Sequence, residues 1–225
     1  MKTFIFSLFF ILTSHSTIHA QTYLSFSEKL INADFSVFHP LVSRGFPEMN
    51  EGIVQIRAGV KMDKKRWGFN SHISYFVSSD QNDKEKKNAK LDGYGLSLGA
   101  HYDLLSWGTF NVQPRLEVGV RKYYLDYVET ITKVNPITFR SISEHVTVFS
   151  FQGIGVFGDI GIALEKKYDG YNRSFGIGFG AGYRIDYGTW QLSDPIPIKN
   201  ADAYNNGMFA SISFFVALKR NAKKK

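Results

Sequence analysis

The chain has 225 residues and no cysteine. No disulfide framework can form, and no thiol is present to carry a lipid anchor. Long apolar runs are missing as well. Beyond the N-terminal stretch nothing approaches the roughly 20 apolar residues that a membrane-spanning helix needs. Acidic residues are fewer than basic ones, 20 against 27. The positive charges are scattered rather than gathered on one face, so the basic balance does not point to nucleic acid.

What is present begins with a leader. Lys2 supplies a short positive region, Phe4 to Leu12 an apolar one, and Ile18-His19-Ala20 before Gln21 a small-residue cleavage site. This is the pattern of a secretory signal peptide over residues 1–20. Export without a helical anchor leaves two classes: a soluble exported protein or an outer-membrane barrel.

The stretch that separates them is Arg173 to Asp186, RSFGIGFGAGYRID. Phe175, Ile177, Phe179, Ala181, Tyr183 and Ile185 alternate with Gly176, Gly178, Gly180, Gly182, Arg184 and Asp186. A period of 2 puts the apolar set on one face of a strand, whereas a helical period would mix the two sets. Alternating glycines weaken a strand unless the face they line is crowded, as the inside of a small barrel is.

The same alternation recurs along the chain and predicts strands over Ile31–Val37, Gly52–Met62, Trp67–Val77, Asp92–Leu105, Thr109–Tyr124, Ile154–Leu164, Arg173–Asp186 and Gly207–Leu218. Pro114 falls inside the fifth of these and predicts a bulge. Phe149 and Phe151 lie out of phase with Ile154–Leu164, which predicts either a bulge near Ser150 to Gly153 or an extension beyond the bilayer. Connections alternate in length. Those after the first, third, fifth and seventh strands are long, including Ser78–Leu91, Leu125–His145 and Gly188–Asn206, and the rest are short. Short periplasmic turns and long outer loops give this order in an outer-membrane barrel. Trp67, Tyr75, Tyr94, Tyr102, Phe110 and Tyr183 fall near strand ends, where aromatic girdles belong.

Strand count, loop order and patterning resemble the small eight-stranded outer-membrane barrels of the OmpA and OmpX kind, over about Ile31 to Leu218. The resemblance implies an all-β, eight-stranded antiparallel transmembrane barrel at residues 21–218, in the outer membrane and surrounded by its lipopolysaccharide. Members of that family often end in an aromatic residue, whereas this chain runs past Phe214-Phe215 into a basic tail at residues 219–225. The family's activities are diverse, so the scaffold leaves the job open.

Inward parity falls on Arg57, Lys61, Arg115, Glu117, Arg121, Asp159, Arg184 and Asp186, which predicts a salt-bridged plug with Glu117 and Asp159 each paired to a cation. His39, His72, His101 and His145 match no compact metal motif, and no cofactor pattern is present. His72 and Ser74 resemble the His-x-Ser of lipid A deacylase barrels, a family that places its pair facing lipid with an acidic partner, whereas these two have lumen parity. Lys84, Lys86, Lys87 and Lys90 make the second outer loop basic, fit to meet lipid A phosphates or an acidic surface partner, although a solvated loop tip is the plainer reading. The expectation is therefore a non-enzymatic barrel with a structural or surface-interaction role. The alternatives are a lipid A-modifying enzyme on the same scaffold and a soluble barrel with inverted faces around a lipophilic ligand.

Overall fold

The computed structural model describes residues 21–32, 38–47, 52–82, 86–134, 141–169, 173–192, 201–203 and 206–218. The expected signal peptide, the basic tail and Lys84 lie outside the described residues. The elements are β1 (Gln21–Ile31), α1 (His39–Val42), β2 (Ile53–Lys64), β3 (Trp67–Asn82), β4 (Lys87–Tyr102), β5 (Leu105–Trp107), β6 (Phe110–Val134), β7 (Ser141–Asp169), β8 (Arg173–Leu192), β9 (Ala201–Ala203) and β10 (Gly207–Leu218). The helix is one turn, and β5 and β9 are short strands at the ends of the sheet wall.

Eight strands form a ring. β1 through β4 pair in sequence, β4 pairs β6, β6 pairs β7, β7 pairs β8, and β10 closes the sheet between β8 and β1. Every pairing is antiparallel. One row of partners runs from Val112 through Leu164, Phe179, Ile212, Glu28, Ile56, Tyr75 and Tyr94 to Lys122, returning to β6 ten residues further on (112 to 122). A stagger of that size in an eight-stranded ring tilts the strands by about 40°, within the usual barrel range.

The faces sort as the alternation predicts. Phe175, Phe179, Tyr183 and Ile185 of β8 are exposed, while Gly176, Gly178, Arg184 and Asp186 are turned inward. Space explains the glycines. Gly176 pairs with Phe215 of β10, and a Cβ there would run into the Phe215 ring. At Gly182 a Cβ would meet the Ile160 carbonyl oxygen of β7, so two backbones approach too closely for any side chain.

Several boundaries differ from expectation. The first strand is Gln21–Ile31, not Ile31–Val37, whose residues 33–37 lie outside the described part. Thr22, Leu24, Phe26 and Leu30 point out and Tyr23, Ser25, Ser27, Lys29 and Ile31 point in. The acidic Glu28 in the outward set hides the alternation. Pro114 makes no bulge: it stays in register with Ile162 of β7 and sits where pairing of β6 passes from β4 to β5, so its missing N–H breaks no ladder there. Much of Ser78–Leu91 and Leu125–His145, read as loop, is strand, because β3, β4, β6 and β7 continue beyond the apolar belt.

That continuation makes the wall uneven. β1, β2 and β10 have 11, 12 and 12 residues, whereas β6 and β7 have 25 and 29. Above the belt the polarity of the faces reverses, since the outside now meets water. Ala89, Leu91, Leu125, Tyr127 and Phe151 are buried inside, and Lys90 stands outside. The odd phase of Phe151 is therefore an extension, and the register shift lies just beyond Phe149, between Tyr127 and Val128.

Candidate functional site: a plugged and capped lumen

Small barrels must fill their interior, and this one fills it with charge at membrane height. Asp159 of β7 stands at the centre. Arg184 of β8 donates to it from Nε and a terminal nitrogen at 2.7 Å each, and Lys29 of β1 reaches it at 2.5 Å. Beside it, Glu117 of β6 accepts from Arg57 at 2.8 Å, and Arg57 also donates to Ser27 at 2.8 Å. Arg184 further donates to Gln55, and its Cζ stands over the Phe157 ring, 4.1 Å from the ring centre. Planar guanidinium groups suit this double duty of forked hydrogen bonds and stacking.

Toward the periplasmic end, Glu165 of β7 accepts from Lys61 at 2.5 and 2.6 Å and from Arg115. Asp63 there accepts from Lys167 at 2.8 Å and pairs with His101 at 2.9 Å. Toward the outer end, Arg121 and Asp186 form a forked pair at 2.5 and 2.6 Å. The expected plug is thus present, and Glu117 and Asp159 each have their cations. Lys29, Asp63, Glu165 and Lys167 were missed. Lys29 was lost with the misplaced first strand, and the other three sit at strand ends, where alternation gives way to turn.

An apolar layer of Phe76, Tyr123, Phe157 and Trp190 begins level with the Arg121–Asp186 pair and continues above it, and over that lies a cap. Residues 38–47, between β1 and β2, fold back across the mouth. Phe38 packs against Phe151 and Trp190 with ring centres 5.0 and 5.3 Å apart, and Phe46 lies 5.3 Å from Tyr127. Lys87 pins the segment by donating to the Arg44 carbonyl at 2.7 Å, and Asn82 donates to the Gly45 carbonyl at 3.1 Å. Burial pushes the Tyr127 phenol well above its ordinary value.

Among the described residues two small cavities lie in the lumen, of about 40 and 30 Å³. Each has room for a water or two rather than a lipophilic ligand. His72 faces the larger one, bonded to Ser25 at 3.0 Å and accepting from Asn70 at 3.2 Å. Ser74 instead accepts from Gln55 at 2.8 Å. His72 and Ser74 therefore form no pair, and both point into the lumen rather than at lipid. His145, on the β6–β7 hairpin, is bonded to Thr130 at 3.0 Å, whereas His101 lies on β4. Among the described residues no three His, Asp or Glu side chains converge as a metal site.

The outer face is the reverse of the lumen. Ile73, Leu98, Val118, Ile160 and Phe179 are all at least half-exposed around the ring, an apolar belt wetted by lipid. Trp67 packs on Tyr102 and Tyr168 on Phe175 at its lower edge, both at 4.9 Å between ring centres, and Tyr75 on Tyr94 at its upper edge at 5.5 Å. A closed antiparallel ring with a greasy exterior and aromatic edges is an outer-membrane barrel. The inverted, soluble arrangement does not occur here, because the glycine and charged set is the one inside.

No protein-family model matches the chain, and no curated protein matches it in sequence. Among solved structures it is similar to a major outer membrane protein from Thermus thermophilus, at 10% identity and a TM-score of 0.45 over 87% of this chain and 99% of that one. It is also similar to Neisserial surface protein A, at 13% identity and 0.41 over 89% and 99%. Acinetobacter baumannii CarO2 follows at 9% identity and 0.42 over 88% and 99%. At such identities none of these proteins lends this chain its family or its activity, and the barrel rests on the register, the faces and the filled lumen described above.

Proposed function

We propose that the protein is a non-conducting, non-enzymatic outer-membrane barrel of the OmpA and OmpX kind, working through its outer surface rather than its interior. The observation that carries this reading is the lumen. Ion pairs fill it at membrane height, an aromatic layer continues above them, and residues 38–47 close the mouth. Among the described residues the two lumen cavities, of about 40 and 30 Å³, hold a water or two rather than a ligand. What the molecule offers its surroundings is its lipid-facing belt and the outer wall of β3, β4, β6 and β7, with the long β6–β7 hairpin at its tip.

Planar-bilayer recording of the purified barrel tests this directly. The expected record is a flat baseline, with steps appearing only when Asp159→Ala and Arg184→Ala are combined with removal of the cap. Steady ion steps from the unaltered chain would make it a channel and overturn the reading.

A further inference from the structure

At mid-height the lipid-facing belt carries one charged side chain among the described residues; Lys122 and Lys166, also outward, stay at the aromatic edges over the Tyr124 and Tyr168 rings. Glu28 projects outward from β1 between Phe26 and Leu30, with Ile56 of β2 and Ile212 of β10 as its cross-strand neighbours. No ion pair or hydrogen bond engages it among the described residues.

The barrel stagger gives its depth. Four steps along the row of partners climb from Val112, near the lower aromatic edge, to Glu28, and four more climb to Lys122, beside Tyr124 at the upper edge. Each step rises equally, so Glu28 sits halfway, at the middle of the bilayer. A glutamate is too short to snorkel from there to either headgroup zone. An ionisable group in that place marks a functional contact and asks for a partner.

The short wall shows where a partner fits. β10, β1 and β2 end at the upper aromatic edge, while the tall β6–β7 hairpin rises on the opposite side of the ring. Ala58 and Ala210 stand diagonally beside Glu28, and their small side chains allow close approach. A second copy brings no cation to this depth. It does bring the same carboxyl group at the same height when the two copies are related by a two-fold axis along the membrane normal. Carboxyl groups that share protons complete each other's hydrogen bonds, each supplying a donor and an acceptor. Two-fold contacts are the commonest oligomeric arrangement, and a group near the axis meets its own copy.

We propose that the β10–β1–β2 wall is the interface of a two-fold homodimer within the membrane, centred on a pair of Glu28 carboxyl groups. The proposal rests on the outer-membrane reading. Its test is therefore made on protein already shown, by fractionation and heat-modifiable migration, to be inserted.

In lipid nanodiscs the unaltered chain and Glu28→Gln, whose amide also carries a donor and an acceptor, should have the mass of a dimer. Glu28→Leu, which suits lipid better, should be inserted and monomeric. Because the chain lacks cysteine, Glu28→Cys adds a lone thiol, and oxidation in membranes should yield a disulfide-linked dimer. Val118→Cys, on the far wall at the matching depth, should stay monomeric. A monomeric parent chain, a Glu28→Leu variant that remains dimeric, cross-linking of Glu28→Cys to a different protein, or equal cross-linking through Val118→Cys would each overturn the proposal. Failure of the chain to partition into membranes would instead overturn the outer-membrane reading.

Discussion

Charges inside the barrel are held by one another, so the cost of removing one depends on who is left. Glu165 serves both Lys61 and Arg115. Glu165→Gln takes the carboxylate from Arg115 and leaves Lys61 only the more distant Asp63 at 3.8 Å, and should cost about 3–5 kcal/mol, the usual penalty for breaking a buried pair. Urea titration in lipid or detergent, followed by loss of heat-modifiable migration, reads it. Arg121 and Asp186 pair mainly with each other, so replacing both by Met and Leu should be close to neutral while either single change is not. The glycines make a separate prediction. Gly182→Ala forces the β7 and β8 backbones apart at Ile160 and should destabilise by about 1–3 kcal/mol, as overpacking does. An unchanged urea midpoint would mean that the wall has slack there.

At the scale of elements, the cap is the separable part. Phe38→Ala with Phe46→Ala removes both of its ring anchors, and trypsin should then cut after Arg44 in seconds to minutes where the parent resists, while the barrel keeps its migration. If the cut remains slow, the anchors are not what holds the segment. The Tyr127 phenol against which both rings pack has its pKa raised by burial. Its neutral form is favoured in the folded cap, so its contribution is fully present below tyrosine's ordinary value of about 10 and fades only as pH rises past it. Protection of Arg44 should thus be level from pH 6 to 9. A loss of protection within that window would point to another titrating group.

Elements also show what a reader of the sequence can and cannot see. The belt was legible because lipid outside and packed lumen inside enforce a period of 2, and residues such as Ile160, Phe179 and Arg184 were sorted to the right faces. Above the membrane the outside meets water, the apolar set moves inward, and Leu91, Leu125 and Phe151 no longer match the template of the belt. Strand was therefore read there as loop. β1 failed for a different reason: with Glu28 facing out and Lys29 facing in, both of its faces look polar at their middle. The plug was legible as a set of inward charges. Its partnerships were not, because alternation says which way a side chain points and nothing about what stands opposite it across the lumen.

For the whole molecule, the belt makes the firmest prediction. Ile160 lies near the middle of the bilayer on the wall away from Glu28, and Ile160→Arg should cost about 2–4 kcal/mol or block insertion. A variant that inserts and unfolds like its parent would reverse the assignment of the faces.

The pairing of first strand with last has a consequence for how such a wall can be made. Lys29 of β1 meets Asp159 across 130 residues of chain, and Lys61 of β2 meets Glu165 across 104. Until the later strands arrive, the N-terminal hairpin carries Lys29 and Arg57 without their carboxylates, Asp159 and Glu117, which those strands bring. An unclosed sheet of this sequence would present bare charge to lipid on the face meant for the lumen. Insertion strand by strand is thereby disfavoured, and the chain is suited to entering the bilayer only as it closes, with neutralisation and closure occurring in the same event.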